Sequence, residues 1–292
     1  MKITTRTLLF GTALLLALAS PLHSQEAQLR PENDTALKAH NDFMQSLSWK
    51  TEGKGSLGSR AEIAIPEGYR FLGAGDSSKL MKYYGNLSDG SELGFLSPNE
   101  MEWFAVFEFD DVGYVKDDEK DKLDADEILK QLQEGQKLAN EELTRQGHPT
   151  LNVLGWHTPP NYNPETKNLE WAIRLSSSDG GQVLNYNTKL LGRRGVMEVV
   201  LVCSEEQLPT VIPHYQSMLK GFSYKKEESY AAFTKGDKIA EYGLVGLIAG
   251  GGLLVAAKAG WLAKFGKFIV IGLVAIGAFF KRLISGKKPE SI

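Results

Sequence analysis

Cysteine is almost absent from the sequence: Cys203 is the only one in 292 residues. A single cysteine excludes an intrachain disulfide, so the folded part has to be stabilised by its hydrophobic core. Because Cys203 ends an apolar run of β type, we predict a small buried residue at a strand end rather than a reactive thiol.

Motifs of common catalytic and metal-binding sites are also missing. There is no Gly-x-Ser-x-Gly nucleophile motif, no HExxH and no phosphate-binding glycine loop. A calcium loop needs a glycine at its sixth position and a glutamate at its twelfth. In the acidic run 110–127, a loop that began at Asp117 would have Lys122 and Ile128 at these positions, so the pattern fails. The histidines lack zinc-ligand spacing. We therefore predict no catalytic motif, no metal and no cofactor.

Basic residues are scarce between the two ends of the chain. Residues 25–257 carry 24 Lys and Arg against 35 Asp and Glu, a formal charge of −11, although the whole chain is only −3. A surface of this charge repels phosphate backbones, which argues against a nucleic-acid partner.

The amino terminus has the pattern of a secretory signal. Lys2 and Arg6 precede an apolar run over residues 8–19, and small residues follow it. This predicts a signal peptide over 1–24, cleaved near Ser24 or alternatively near Ala19. No cysteine follows the apolar run, which excludes lipoprotein processing. We expect the main domain in the bacterial periplasm.

The apolar stretch 243–284 predicts a membrane anchor in the bacterial inner membrane. It contains two segments, 243–257 and 265–284, and its charge-free cores are shorter than the roughly 20 residues that span a bilayer. The basic tail 285–292 favours a cytoplasmic C-terminus and a single crossing by the second segment. Two crossings, or a buried helical hairpin of a soluble protein, remain the alternatives.

The first apolar segment carries a small-xxx-small pattern at Gly246 and Gly250. This pattern permits close helix packing, so we predict membrane packing there and a possible homo-oligomer through the anchor. The alternative is the ordinary abundance of glycine in membrane helices.

Composition divides the rest of the chain into a polar N-terminal segment (25–58), an exported domain (59–226) and a linker (227–242). In the domain, a capping box at 124–127 predicts a helix that stops at Gly147. Strands in runs, with helices apart from them, predict an α+β fold in which two main helices flank a mostly antiparallel sheet. The predicted second helix is 208–220, and the predicted strands are 61–65, 69–72, 90–96, 103–109, 151–156, 169–175, 183–191, 196–202 and 222–224.

Arg193 and Arg194 lie at a predicted hairpin tip between glycines. Paired guanidinium groups could bind a phosphate or carboxylate of a lipid headgroup or a partner. The alternative is a solvated turn.

A second candidate surface is the stretch 156–162, with Trp156, His157, Tyr162 and two prolines. We predict a loop from residue 158, because its prolines cannot continue a strand. Such a loop could line a ligand groove or simply cover a sheet edge. His157 could act as a general base, although no nucleophile is positioned beside it in the sequence.

Six stretches resemble a known family in chain order. They are Tyr84-Gly-Asn86, Gly113-Tyr-Val-Lys-Asp-Asp118, Gly155-Trp-His-Thr-Pro-Pro160, Leu184-Asn-Tyr-Asn187, Leu191-Gly-Arg-Arg-Gly195 and Tyr230-Ala-Ala-Phe233 before the anchor. Together they resemble the uncharacterised bacterial membrane-anchored family catalogued as domain of unknown function 2167, except that a tryptophan is expected at Tyr84. The resemblance implies an exported, membrane-tethered protein and no particular chemistry. In architecture alone, the order of elements is similar to the PsbP/Mog1-like sandwich.

These observations lead us to expect a membrane-anchored periplasmic domain that binds an envelope protein or component and is not an enzyme. A hydrolase-type enzyme with a dispersed site, using His157 as its base, is one alternative. A membrane oligomer or transport accessory is the other.

Overall fold

The computed structural model of the chain describes residues 31–84, 88, 90–145, 147 and 149–249. The predicted signal peptide, Gly250, the remainder of the anchor and the basic tail lie outside these residues. Within the described part, no helix has both the length and the apolar character needed to cross a bilayer.

The described residues form five α-helices and ten β-strands. The helices are α1 (Pro31–Ser46), α2 (Ala74–Tyr83), α3 (Ala125–Arg145), α4 (Leu208–Leu219) and α5 (Leu244–Ala249). The strands are β1 (Lys54–Leu57), β2 (Ala61–Ala64), β3 (Tyr69–Gly73), β4 (Glu92–Pro98), β5 (Phe104–Asp110), β6 (Leu151–Asn163), β7 (Asn168–Ser177), β8 (Gln182–Leu191), β9 (Val196–Cys203) and β10 (Phe222–Tyr224).

Seven of the strands form one antiparallel sheet in the order β3-β4-β5-β9-β8-β7-β6. The other three form a small sheet in the order β1-β2-β10, also antiparallel. This confirms the predicted α+β class with mostly antiparallel sheets. Helices α3 and α4 are the two predicted ones, and α1 and α2 are additional.

Strand β5 is an inner strand of the large sheet, and both of its faces are covered. Phe107 packs into the core that includes α4 and the small sheet, and it is fully buried. Val106 points to the opposite face and packs with residues of α2 and the end of α1. Apolar side chains on both faces of the predicted strand 103–109 are typical of a strand with this double cover.

Helix α3 begins where the capping box places it. Asp124 Oδ1 accepts hydrogen bonds from the backbone N–H groups of Asp126 and Glu127 at 3.1 and 3.0 Å. These bonds satisfy amide donors that the first helical turn leaves without partners. Ile128, one turn into the helix, is buried against the sheet.

Strand β6 continues through the stretch that we predicted to be a loop. Pro159 and Pro160 fall in a shift of register between Thr158 and Asn161, where neither has a cross-strand partner. Because β6 is an edge strand, backbone groups on the side away from β7 have no strand to pair with, so a proline without an N–H is tolerated there. On the side that faces β7, β-bulges accommodate the residues that have no partner. The predicted loop at 158–164 was therefore wrong.

Residues 226–249 follow β10 and pack on the domain; we call them the C-terminal strap. Tyr114 donates its N–H to Lys238 O at 2.8 Å and accepts from Ala240 N–H at 2.9 Å. The Tyr114 ring stacks on Tyr230 with centroids 4.4 Å apart. The stretch predicted as a linker is thus fixed along the domain by backbone and aromatic contacts.

The first apolar segment, predicted to enter the membrane at residue 243, begins inside the domain core. Leu244, Leu247 and Ile248 are each no more than 5% exposed and pack in the cluster that holds α3 against the sheet. Glu119 Oε2 accepts the N–H of Val245 at 3.0 Å, which holds the start of α5 in place. The first turns of the predicted anchor belong to the folded domain.

Candidate functional site

The hairpin tip between β8 and β9 holds Arg193 against the strap. Arg193 Nε donates to Asp237 Oδ2 at 2.7 Å and Nη2 donates to Asp237 Oδ1 at 2.9 Å, a bidentate pair. Nη2 also donates to Thr234 Oγ1 at 2.8 Å. The hydrogen bond from Arg193 lowers the pKa of Asp237 well below its usual range. Arg193 is therefore engaged within the chain, and an external anion there stays a prediction.

Arg194 lies beside it and is more open. Its Nη1 donates to Glu228 Oε1 at 2.6 Å, and its side chain is 47% exposed. Glu228 is buried, and its Oε2 also accepts a hydrogen bond from Arg60 Nη1 at 3.1 Å. Arg194 can contact a partner, but only by sharing its guanidinium with Glu228.

The candidate residues of 156–162 are parts of strand β6. Trp156 is half-buried and its Nε1 donates to Ala125 O at 3.0 Å, at the start of α3. Tyr162 is 9% exposed, and its hydroxyl donates to Asp117 Oδ2 at 2.8 Å. Burial alone would raise the pKa of Asp117, but hydrogen bonds from Lys167 and Tyr162 lower it. Both aromatic residues pack the domain together.

The imidazole ring of His157 has one hydrogen-bonding partner among the described residues. Its Nδ1 lies 3.0 Å from the hydroxyl of the neighbouring Thr158. Among the described residues, no carboxylate contacts the imidazole ring, so the geometry gives His157 no orienting group of the kind that a general base uses.

A row of ionisable side chains crosses the large sheet, and our sequence analysis missed it. Glu92 on β4 pairs with Glu108 on β5, which pairs with Glu198 on β9, which pairs with Lys189 on β8. Residues paired across antiparallel strands point to the same face, with Cβ atoms about 5 Å apart. Three carboxylates and one amine therefore lie side by side; we call these four residues the charged row.

The carboxylates of the charged row differ in the partners that stabilise them. Lys189 Nζ lies 2.5 Å from Glu198 Oε2 and 3.3 Å from Asp110 Oδ2, and its side chain is almost completely buried. At the other end, Ser78 and Ser88 donate to Glu92 Oε2 at 2.6 and 2.9 Å. Glu108 lies between these two supported ends.

The position of Glu108 changes its protonation. Burial, followed by the nearby carboxylates of Glu198, Glu92 and Asp110, raises the pKa of Glu108 to about 8. Glu108 therefore carries a proton at neutral pH and can donate a hydrogen bond. Burial alone would lower the pKa of Lys189, but Glu198 and Asp110 raise it, so the amine stays charged.

Charges at the Lys189 end of this row act on Tyr242 of the strap. Its pKa is raised to about 12 by burial and by the charges around it, among them Asp110 and Glu198. Gly246 lies next to Tyr242: a Cβ at this glycine would approach the Tyr242 Cβ to 2.6 Å. Packing of Gly246 and Gly250 in the membrane stays a prediction, and Gly250 lies outside the described residues.

Metal binding was not predicted, and the described residues contain no group of three or more His, Cys, Asp or Glu side chains placed to hold a metal ion. Cys203 is buried at the end of β9, as predicted, and burial raises the pKa of its thiol to about 12. Its thiol is thus neutral and enclosed.

Comparisons with known proteins place the chain in a family. The family described as "Protein of unknown function (DUF2167)" matches residues 49–280, and the chain belongs to it. The comparison with curated proteins found no match. Among solved structures, the chain is similar to cyanobacterial PsbP (CyanoP) from Synechocystis sp. PCC 6803, at 11% identity and a TM-score of 0.35. That match covers 61% of this chain and 92% of CyanoP.

Proposed function

We propose that this member of the DUF2167 family is a membrane-tethered, non-enzymatic module of the bacterial envelope. Its folded domain lies in the periplasm and binds an envelope protein or component. The observation that carries the proposal is the C-terminal strap, which fastens the residues just before the apolar stretch to the domain.

The strap also bears on how the chain crosses the membrane. Because α5 is part of the core, only residues 250–257 of the first apolar segment are left for the bilayer. At 1.5 Å per residue, eight residues span about 12 Å of a core roughly 30 Å thick. The second segment, 265–284, is therefore the one that crosses, with the basic tail in the cytoplasm.

A tether of this kind holds the domain near the membrane in a restricted orientation. Fifteen residues separate the end of α5 from the second apolar segment. The open side of Arg194, at the edge of the strap, is the predicted contact that the structure leaves accessible. A partner carboxylate there would compete with Glu228 for the guanidinium.

Cell fractionation tests the tether. We expect the full chain in the membrane fraction, and a chain that ends at Ala249 in the soluble periplasmic fraction. A full chain that fractionates as soluble, or a shortened chain that stays in the membrane, contradicts the proposal. A cysteine placed at Ser291 should resist membrane-impermeant reagents in intact cells.

In-cell photocrosslinking tests the binding role. A crosslinker at Arg194 should give a discrete product, whereas the same group at the fully buried Tyr215 should give none. Absence of any product from Arg194 removes this surface from the proposal.

An enzyme is the second candidate, and one observation favours it: Glu108 is paired with Glu92 and Glu198 across neighbouring strands, and burial together with these carboxylates raises its pKa to about 8. It could transfer a proton near pH 8. Wild-type protein and the variant Glu108→Gln can be compared on ester, amide and phosphoester substrates. Turnover that the variant loses supports an enzyme, and no turnover by the wild type removes this candidate.

A further inference from the structure

Arg70 differs from the other arginines whose contacts are described. Arg60, Arg174, Arg193 and Arg194 each form an ion pair with a carboxylate. Arg70 forms no hydrogen bond or ion pair with any described residue, although it lies in a domain rich in acidic side chains.

The guanidinium of Arg70 is nevertheless held in one place. Its Cζ lies 4.1 Å from the centroid of the Trp49 ring, in a cation–π contact. Trp49 itself is fixed, because its Nε1 donates to Met44 O at 2.9 Å. The residues next to both, Lys50 and Phe71, exchange two backbone hydrogen bonds of 2.9 and 2.8 Å. Strand and loop thus position the cation before any ligand arrives.

Two buried polar atoms at this place have no partner. Arg70 Nε is buried without an acceptor, and Ser97 Oγ is buried without a donor or acceptor. Arg70 and Ser97 are directly paired on β3 and β4, so their side chains share a face. Ser97 is fully buried, whereas Arg70 is only partly buried and reaches solvent. A buried donor without an acceptor destabilises the fold, which favours an acceptor supplied from outside.

The electrostatic surroundings agree with this geometry. Burial lowers the pKa of Arg70, and the electrostatic influence of Tyr84 and Glu100 opposes that effect only in part. The cation therefore lacks a close counter-ion. Burial and the charge of Arg70 also lower the pKa of His40 on α1, so this ring does not add a positive charge to the site at neutral pH.

We propose that Arg70 and Ser97, backed by Trp49, form a binding site for a carboxylate group. The planar guanidinium can donate two parallel hydrogen bonds to the two carboxylate oxygens, and the Ser97 hydroxyl can donate a third. A carboxylate is favoured over a dianionic phosphate because the domain is acidic and the negative charge of Glu100 already acts on Arg70. The site is independent of the tether and of the strap.

The resonance of Arg70 Nε–H measures occupancy directly. Full-length protein labelled with 15N-arginine is kept in a non-ionic detergent, and sodium acetate replaces sodium chloride at constant ionic strength. We expect a saturable shift of one arginine resonance, assigned to Arg70 by its loss in Arg70→Lys. The variant Arg70→Lys serves only to assign the resonance; the comparison of anions is made on the wild-type protein.

Variants test the geometry. Ser97→Ala should weaken acetate binding about tenfold, since it removes one hydrogen bond to a charged group. Arg174→Lys, which changes an exposed arginine paired with Glu205, should leave the affinity unchanged. If Ser97→Ala and wild type bind acetate equally, the proposed geometry is wrong.

Two further ligands identify the source of the carboxylate. A short neutral peptide with a free C-terminus is compared with its C-terminally amidated form. If acetate binds, free small carboxylates suffice; if only the free-acid peptide binds, the ligand is the carboxylate of a partner chain. A resonance that acetate and peptide do not move indicates a bridging water only and overturns the proposal, as does tighter binding of inorganic phosphate.

Discussion

Glu108 and Glu198 are paired directly across β5 and β9, so two carboxylates lie side by side in the middle of the large sheet. Both cannot be ionised without strong repulsion. Lys189, 2.5 Å from Glu198, compensates that carboxylate, and the proton therefore remains on Glu108. The pairing gives the domain an internal group that titrates near pH 8.

Glu108→Gln should make stability less dependent on pH. In the unfolded chain Glu108 loses its proton near pH 4.5, and in the folded chain near pH 8. The folded state thus binds more protons over this interval, so the free energy of unfolding of the wild type falls as pH rises from 4.5 to 8. The variant does not lose stability in this way, so at pH 8 its free energy of unfolding should exceed that of the wild type by about 1–3 kcal/mol. Urea unfolding between pH 5 and 9 measures it.

Glu165→Gln is the control, because Glu165 is exposed and lies far along the chain from the charged row. Equal pH profiles for wild type and Glu108→Gln would show that Glu108 is ionised in the folded state.

Gly113→Ala should destabilise the protein for two reasons: the strained backbone angle and a clash of the added Cβ with the strap. Gly113 has φ +98°, and a Cβ there would lie 2.7 Å from Lys238 O. Gly180 has nearly the same φ, +91°, with open space around it. We expect both alanine variants to lower the thermal midpoint through backbone strain. Gly113→Ala should cost at least about 1 kcal/mol more, and equal losses would mean that the strap contact is not formed.

Arg193→Lys should loosen the strap without unfolding the domain. Lysine keeps the charge but cannot make the bidentate pair with Asp237. Amide hydrogen exchange should quicken at 234–240, while exchange in β8 and β9 stays as in the wild type. Unchanged protection over 234–240 would show that the backbone hydrogen bonds of Tyr114 and the tyrosine stack hold the strap without the Arg193–Asp237 pair.

Leu247→Ala decides whether the start of the first apolar segment belongs to the domain. Leu247 is 5% exposed in the core with α3, so the truncation should lower the free energy of unfolding by about 2–4 kcal/mol. Leu138→Ala, on the exposed side of α3, should cost much less. Equal effects from these two Leu→Ala variants would place Leu247 outside the folded domain.

Local signals in the sequence predicted most of the regular structure. The capping box at Asp124 located the start of α3, and apolar alternation located β5 and β9 to within about two residues. The failure at Pro159 and Pro160 has a clear physical cause. A proline excludes a central strand, but whether β6 lies at an edge depends on the order of the whole sheet.

The charged row and the Arg70 site could not be read from the sequence for a similar reason. Glu108 and Glu198 are 90 positions apart, and their contact depends on which strands pair and in which register. One signal was available: Glu108 interrupts an otherwise apolar strand that is covered on both faces. The partner that makes this glutamate unusual is visible only after folding.

The strap closes the fold with residues that follow both sheets in the chain. During synthesis from the N-terminus, all seven strands of the large sheet are present once the chain has been made as far as Cys203, the end of β9. At that stage Tyr242 has not reached the charged row, Arg193 has no Asp237 and the core beneath α3 lacks α5. The large sheet can thus be complete without residues 226–249, but the core beneath α3 then lacks the cover that Leu244, Leu247 and Ile248 give it.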